Sequence, residues 1–183
     1  GVNVFKNFIL TAVAILFISG CGRAEKIARI EQKCANNEVT YCLKLGKIYS
    51  RRDVNKGTMY YQKACDLGDK RGCYRLAVLL NSKSINSKKD NETIVKSLTK
   101  SCDLGTPKAC FELGEYYEDD PKMQSKANEL FVKSCEQRFG LACYKLADFY
   151  GEKNDAATQK SYLELACKYR YKVACEEVGE DKK

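Results

Sequence analysis

An all-α solenoid of five helix–turn–helix repeats is the fold this sequence predicts, and three observations predict it. Ten of the 11 cysteines fall into five C-x7-C pairs. The pairs recur every 31 to 37 residues, the mark of a repeat array. Around each pair, apolar and small residues return at offsets of three, four and seven, which is one face of an amphipathic helix. A length of 183 residues with 44% hydrophobic content suits one domain or a short array and excludes a disordered chain. Having only 2 prolines excludes a Pro-rich linker, and 12 glycines without a period exclude collagen. The absence of histidine removes Ser-His-Asp triads, His-ligated zinc and H-E-x-x-H metalloproteases together.

The first element, residues 1–20, reads as an export leader. Phe8–Ile18 is apolar apart from Thr11, too short to span a bilayer but of the right length for a signal-peptide core. It runs into Ile18-Ser19-Gly20-Cys21, which resembles a bacterial lipobox with Cys21 as the lipidated residue. Lipidation would tether the chain to a membrane, with helix expected soon after Arg23. Without Lys6 of the leader, 31 Lys and Arg stand against 24 Asp and Glu, so a net charge of +7 would then lie close to anionic lipid. Clustered cations with interleaved aromatics are missing, so nucleic acid is not an expected partner.

The repeats follow over residues 21–180, in units of about 24–50, 55–81, 92–118, 125–151 and 158–180. Their cysteine pairs are Cys34 and Cys42, Cys65 and Cys73, Cys102 and Cys110, Cys135 and Cys143, and Cys167 and Cys175. Four residues before the first cysteine stand Ile30, Tyr61, Leu98, Phe131 and Leu163. Three after the second come Leu45, Leu76, Leu113, Leu146 and Val178, followed by Gly46, Ala77, Gly114, Ala147 and Gly179. Tyr49, Leu80, Tyr117 and Tyr150 lie one turn further on. Between the paired cysteines, Gly68 and Gly105 suit the left-handed residue that ends a helix, and Pro107 suits the first turn of the next. Each unit is thus helix A, tight turn, helix B.

The cysteine spacing agrees. Residues eight apart on one helix are separated by ~12 Å of rise, whereas a disulfide needs Cα atoms ~4.4–6.8 Å apart. A C-x7-C bridge therefore requires a chain reversal. Zinc sites favour closer pairs such as C-x2-C, and none occurs. One disulfide per repeat is the expectation. Polar connectors are expected at Ser50–Gly57, Asn81–Asn91, Glu118–Ser125 and Gly151–Thr158, the second carrying Lys83, Lys88 and Lys89. The last helix should be short and polar, as a cap.

The segments A-C-D-L-G-D-K-R-G-C-Y-R-L-A (64–77) and S-C-D-L-G-T-P-K-A-C-F-E-L-G-E-Y-Y (101–117) resemble Sel1-like repeats, relatives of the tetratricopeptide repeat. The C-x7-C pair in every copy is similar to the cysteine-rich Sel1 proteins of Helicobacter and Campylobacter. That resemblance implies a right-handed α-solenoid with one disulfide per repeat, exported and without cofactor or metal. It implies a peptide, protein or peptidoglycan-derived ligand in the concave groove, or a weak β-lactamase or penicillin-binding activity. The location implied is the cell envelope, facing periplasm or surface. Gly22 stands where aspartate would retain a lipoprotein in the inner membrane of enteric bacteria, which favours the outer membrane.

The residues supply no catalytic set. Serine β-lactamases need S-x-x-K, then S-x-N, then K-T-G. Here Ser97-Leu98-Thr99-Lys100 has no K-T-G, and Ser84-Ile85-Asn86 precedes it. Ser97 is expected to be a solvated helix residue. Lys63, Lys100 and Lys133 share one position, two before the first cysteine. If helices A line the groove, these lysines could read ligand carboxylates.

Overall fold

The computed structural model describes residues 22–82 and 88–179. The leader, the lipobox with Cys21, Lys83 and the Ser84-Ile85-Asn86 motif lie outside the described residues. The described residues form helices and turns with no strand: α1 (22–35), α2 (Val39–Tyr49), α3 (Val54–Asp66), α4 (Lys70–Asn81), α5 (Lys88–Asp103), α6 (Pro107–Glu118), α7 (Gln124–Glu136), α8 (Gly140–Glu152), α9 (Ala156–Lys168) and α10 (Lys172–Val178). Odd-numbered helices are the helices A of the repeats and even-numbered ones the helices B. The chain divides into two compact units, Gly1–Leu67 and Gly68–Lys183.

Each cysteine pair sits where a hairpin needs it. Cys34–Cys42, Cys102–Cys110, Cys135–Cys143 and Cys167–Cys175 are bonded, with Cα atoms 4.8, 4.7, 4.8 and 4.5 Å apart. Cys65 and Cys73 are each disulfide-bonded as well. The turn has one shape in every copy. The third residue after the first cysteine is always left-handed: Asn37, Gly68, Gly105, Arg138 and Arg170 have φ of 65, 85, 81, 66 and 65°. A side chain there costs about 1–2 kcal/mol, so the turn is imposed by the closed hairpin even where glycine is missing. Caps complete the ends. Asp53, Asp69 and Asp155 accept backbone N–H bonds at the starts of α3, α4 and α9, and Pro107 occupies the first turn of α6.

The core lies along the faces the offsets marked. Leu45, Leu76, Leu113 and Leu146 are completely or almost completely buried. In the first unit Cys34, Cys42, Leu45 and Ala64 form the centre, with Ile27, Ile30 and Tyr49 around it. In the second, Phe111 packs on Phe131 and Phe139 with ring centroids 5.5 and 5.3 Å apart. In two copies the tyrosine seven residues after the second cysteine stacks on a tyrosine of the next helix A. Tyr49 lies on Tyr60 at 5.6 Å, and Tyr150 on Tyr162 at 5.5 Å.

Two glycines set how closely the helices approach. A Cβ added to Gly46 would lie 2.4 Å from the Tyr61 ring, and one on Gly114 would lie 2.6 Å from the Phe131 ring. The second and fourth copies place Ala77 and Ala147 at this position, and the next helix A carries Leu98 and Leu163 in place of the ring. Glycine thus accompanies an aromatic ring, and alanine a leucine. Buried serines add polar ties between helices. Ser101 Oγ donates to the Lys70 carbonyl and Ser134 Oγ to the Pro107 carbonyl, both at 2.8 Å.

Three expectations need correction. The connectors are shorter than the polar stretches, because helices start on polar residues. Lys88–Asn91 already belongs to α5, and α3, α7 and α9 begin at Val54, Gln124 and Ala156. Ser97 is not solvated but 4% exposed. It holds the repeat position of Tyr60 and Tyr162, five before the first cysteine, which faces the preceding helix B. Finally, α10 is short as expected, 7 residues ending on left-handed Gly179, but Ala174 on it is fully buried, so it closes the core as well as facing solvent.

Alanine normally favours a helix over glycine by about 1 kcal/mol. Here Gly46→Ala and Gly114→Ala should instead destabilise by about 1–3 kcal/mol, the usual range for overpacking. Adding Tyr61→Leu or Phe131→Leu should recover part of the loss by restoring the alanine–leucine pairing. Denaturant unfolding of the single and double variants measures this, and additive losses would refute the pairing.

Candidate functional site

Within each unit, clefts open where neighbouring helices meet. In the first unit a groove of about 530 Å³ runs between α1 and α3, lined by Glu31, Gln32, Ala35, Met59, Tyr60 and Lys63. Met59 on its rim is 53% exposed. Glu31 organises the wall, because one of its carboxylate oxygens accepts from both Tyr49 and Tyr60 hydroxyls at 3.0 and 3.1 Å. Burial, and then the bond to Glu31, push the Tyr60 hydroxyl up to about 12 and raise Tyr49.

The second unit holds two clefts built from the same repeat positions. One, of about 630 Å³, lies among α4, α5 and α6, with Ala77, Ile94 and Leu98 as floor and Glu112, Glu115 and Tyr116 on its rim. The other, of about 300 Å³, lies among α6, α7 and α8. Ala127 and Phe131 are its floor, and Lys145, Asp148 and Phe149 stand where the first cleft has Glu112, Glu115 and Tyr116. Each is therefore an apolar slot with an aromatic residue and charges on its edge. Burial raises the Glu115 and Asp148 carboxyls, and neighbouring Glu118 and Glu177 add to this, against the opposing pull of Lys145. Lys145 itself pairs with Glu118 at 2.9 Å.

Tyrosines lock successive helices B together. Tyr74 donates to Glu112 at 2.6 Å and Tyr144 donates to Glu177 at 2.7 Å. Between these pairs Phe111 replaces the tyrosine, and Lys145 replaces the glutamate. A carboxylate stands only where a hydroxyl can meet it. Hydrogen bonding to Glu177 and burial push the Tyr144 hydroxyl up to about 12.

The three recurrent lysines occupy the ends of helices A. Lys63 donates to the Ala35 carbonyl at 3.2 Å, at the end of α1. Lys133 pairs with Asp103, the last residue of α5, at 2.8 Å. Lys100 is exposed. Cations at helix C-termini offset the dipole and satisfy terminal carbonyls. A ligand carboxylate would share Lys133 with Asp103. Ser97, the only serine of an S-x-x-K, is too buried to meet a substrate. Among the described residues no cluster of Cys, Asp and Glu could hold a metal, and no helix is long and apolar enough to cross a membrane.

The Sel1 repeat model matches residues 35–69, 107–139 and 140–168, more than half of the chain. The chain belongs to the Sel1 repeat family. Each matched segment spans a helix B and the following helix A, so the family's repeat is offset by one helix from the C-x7-C hairpin. The Cys135–Cys143 disulfide thus joins one Sel1 repeat to the next.

Solved structures share the all-α solenoid. A Sel1 repeat protein from Oxalobacter formigenes matches with a TM-score of 0.68 at 19% identity, over 80% of this chain and 64% of its own. A protective antigen of uropathogenic Escherichia coli with the same fold matches with a TM-score of 0.69 at 24% identity, over 84% and 35%. This chain spans under two thirds of either protein. Cysteine-rich protein B of Helicobacter pylori matches at 26% identity with a TM-score of 0.53, over 68% of this chain and 94% of its own. No curated protein sequence matches.

The tyrosine bonds set an alkaline limit. In the unfolded chain a tyrosine ionises near pH 10. Folded Tyr60 and Tyr144 hold their protons to about pH 12. Their contribution is complete below pH 10 and disappears as pH rises toward 12. Stability should therefore fall across that interval. Tyr60→Phe and Tyr144→Phe should flatten the fall, as read by denaturant midpoints at stepped pH.

Proposed function

We propose that this protein is an exported, lipid-anchored Sel1 scaffold that holds a peptide or protein segment of the cell envelope. The single observation that carries the reading is the pair of repeat-equivalent clefts in the second unit, each an apolar slot with an aromatic and charges on its edge. Repeat scaffolds bind extended partners by presenting one contact at a regular interval. Disulfides throughout the repeats suit an oxidising compartment and hence export. The lipobox Ile18-Ser19-Gly20-Cys21 supplies the anchor. Gly22 after it favours the outer membrane, with the repeats facing periplasm or surface.

Two ligand contacts follow from the charges. The rims carrying Glu115, Glu118 and Asp148 suit a segment with cations at repeat spacing. Lys63 in the first unit, and Lys100 and Lys133 in the second, share one repeat position and suit carboxylates, whether a peptide C-terminus or a peptidoglycan stem. β-Lactam hydrolysis is not proposed, because Ser97 is buried and no base or K-T-G accompanies it.

Binding of labelled cationic and anionic peptides to the purified protein tests this. Glu115→Gln, Glu118→Gln and Asp148→Asn together should weaken a cationic peptide at least about tenfold, since each lost charged contact is worth about 1 kcal/mol or more. Changing Lys63, Lys100 and Lys133 together to Ala should weaken a carboxylate-bearing peptide similarly. Equal losses of both peptides with either triple variant would mean diffuse electrostatics and defeat the reading. The anchor has its own test. Cys21→Ser should release the protein from membranes or leave it as unprocessed precursor, seen by fractionation and intact mass. A processed Cys21→Ser protein that stays in the membrane fraction would disprove lipidation.

A further inference from the structure

We propose that the edge of α1 and α2 in the first unit is a contact surface for anionic lipid, which turns the anchored protein down onto its own membrane. The proposal rests on the lipid-anchor reading for its position and on the first unit's chemistry for its partner.

The chain's positive charge is unevenly spread. Residues 22–67 carry ten Lys and Arg against five Asp and Glu, while residues 68–183 carry 21 against 19. Within the first unit the cations gather on one edge. The core face of α1 holds Ile27, Ile30 and Cys34. At 100° per residue, Lys26, Arg29 and Lys33 fall together beside that face, and all three are exposed. Lys33 and Lys44, the latter from α2, flank the Tyr41 ring at 4.5 and 4.8 Å from its centroid. Gly22, Lys26, Arg29, Lys33 and Tyr41 line one shallow recess of about 330 Å³.

Counter-charge on this edge is sparse. Glu25 pairs with Arg29, and Glu38 reaches Lys33 only at 4.0 Å. Four cations therefore face two carboxylates around a half-buried tyrosine. A tyrosine among lysines matches the lipid interface, where an aromatic ring sits at headgroup depth and each cation gains from the negative surface. The edge also begins next to the proposed anchor in the chain. Helix α1 is already formed at residue 22, immediately after Cys21, so an acyl-bearing Cys21 leaves little chain between bilayer and recess. A soluble polyanion would not need this proximity, and anionic lipid is the occupant that uses it.

The test follows lysine acetylation by mass spectrometry on the full chain, exported, purified in detergent and reconstituted into vesicles. One set is phosphatidylglycerol with phosphatidylethanolamine, the other phosphatidylcholine alone. In anionic vesicles Lys26, Lys33 and Lys44 should be acetylated at least about threefold more slowly than in neutral ones. Lys122, Lys168 and Lys172 should react alike in both, and high salt should remove the difference. Equal reactivity of Lys26, Lys33 and Lys44 in the two vesicles overturns the proposal, as does uniform protection of every lysine. Failure to float with neutral vesicles would instead sink the anchor. The anionic vesicles would then still decide the lipid contact, by protection of these three lysines or its absence.

Discussion

A chain that must reverse direction between two bonded cysteines eight residues apart has almost no conformational freedom left at the turn. Every copy in this protein meets that constraint with a helix end, one left-handed residue and a new helix start. Asn37, Arg138 and Arg170 adopt the left-handed state although glycine would do so at less cost. The covalent closure carries that strain. Once the hairpin is closed, the directions of helices A and B are fixed, and the faces that remain must meet the next hairpin. The Sel1 repeat is that second meeting. It is made without bonds between sulfurs, by Gly46 against Tyr61 and by Gly114 against Phe131. The array thus alternates covalent junctions with packed ones.

The packed junctions explain which features are legible in the sequence. The cysteine period, the small residue at Gly46 and its equivalents, and the large one at Tyr61 and its equivalents all repeat at fixed offsets from a landmark. Those offsets alone mark them as helix faces. Their partnership is not legible in the same way. Gly46 and Tyr61 are 15 residues apart on different helices, and their dependence on each other shows only once the stacking brings the ring onto the glycine. The same holds for Tyr74 with Glu112 and Tyr144 with Glu177. Aligned by repeat, these pairs and the Phe111–Lys145 exception form a rule, yet the rule links residues 33 to 38 positions apart. Ser97 departs from its expected exposure for a related reason. A hydroxyl near a helix end usually faces water, but its repeat position belongs to the stacking tyrosines.

The candidate site is less legible than the fold, because charge has two competing uses in such an array. A lysine that recurs at one position can face a ligand or can secure the preceding helix end. Lys63 and Lys133 each have a partner of the second kind. Exposed pairs of this sort contribute little to stability, generally under about 1 kcal/mol. They are therefore exchangeable, and a ligand carboxylate can replace Asp103 on Lys133 at small cost. The acidic rims differ. Glu115 and Asp148 are carboxyls raised by burial, with Lys145 as the cation pulling against it. One lysine cannot offset that burial for both, so a second cation brought by a partner would find them undercompensated.

This asymmetry bears on how a scaffold of so few repeats can be specific. The apolar floors of the two clefts differ in bulk, Ile94 with Leu98 in one and Ala127 with Phe131 in the other. Their rims differ in charge at one repeat position, Glu112 in one being Lys145 in the other. A partner lying across both would meet Glu112 with Lys108 beside it at one cleft, and at the other Lys145, already paired with Glu118. The register of such a partner is then fixed by charge as well as by shape. Sliding it by one repeat would leave its cation facing Lys145, and like charges brought together in a partly buried slot are costly. Identical repeats could not impose this. The substitution of Phe111 for tyrosine, which frees the next position from holding a glutamate, is what permits Lys145 there and gives the two clefts different electrostatics.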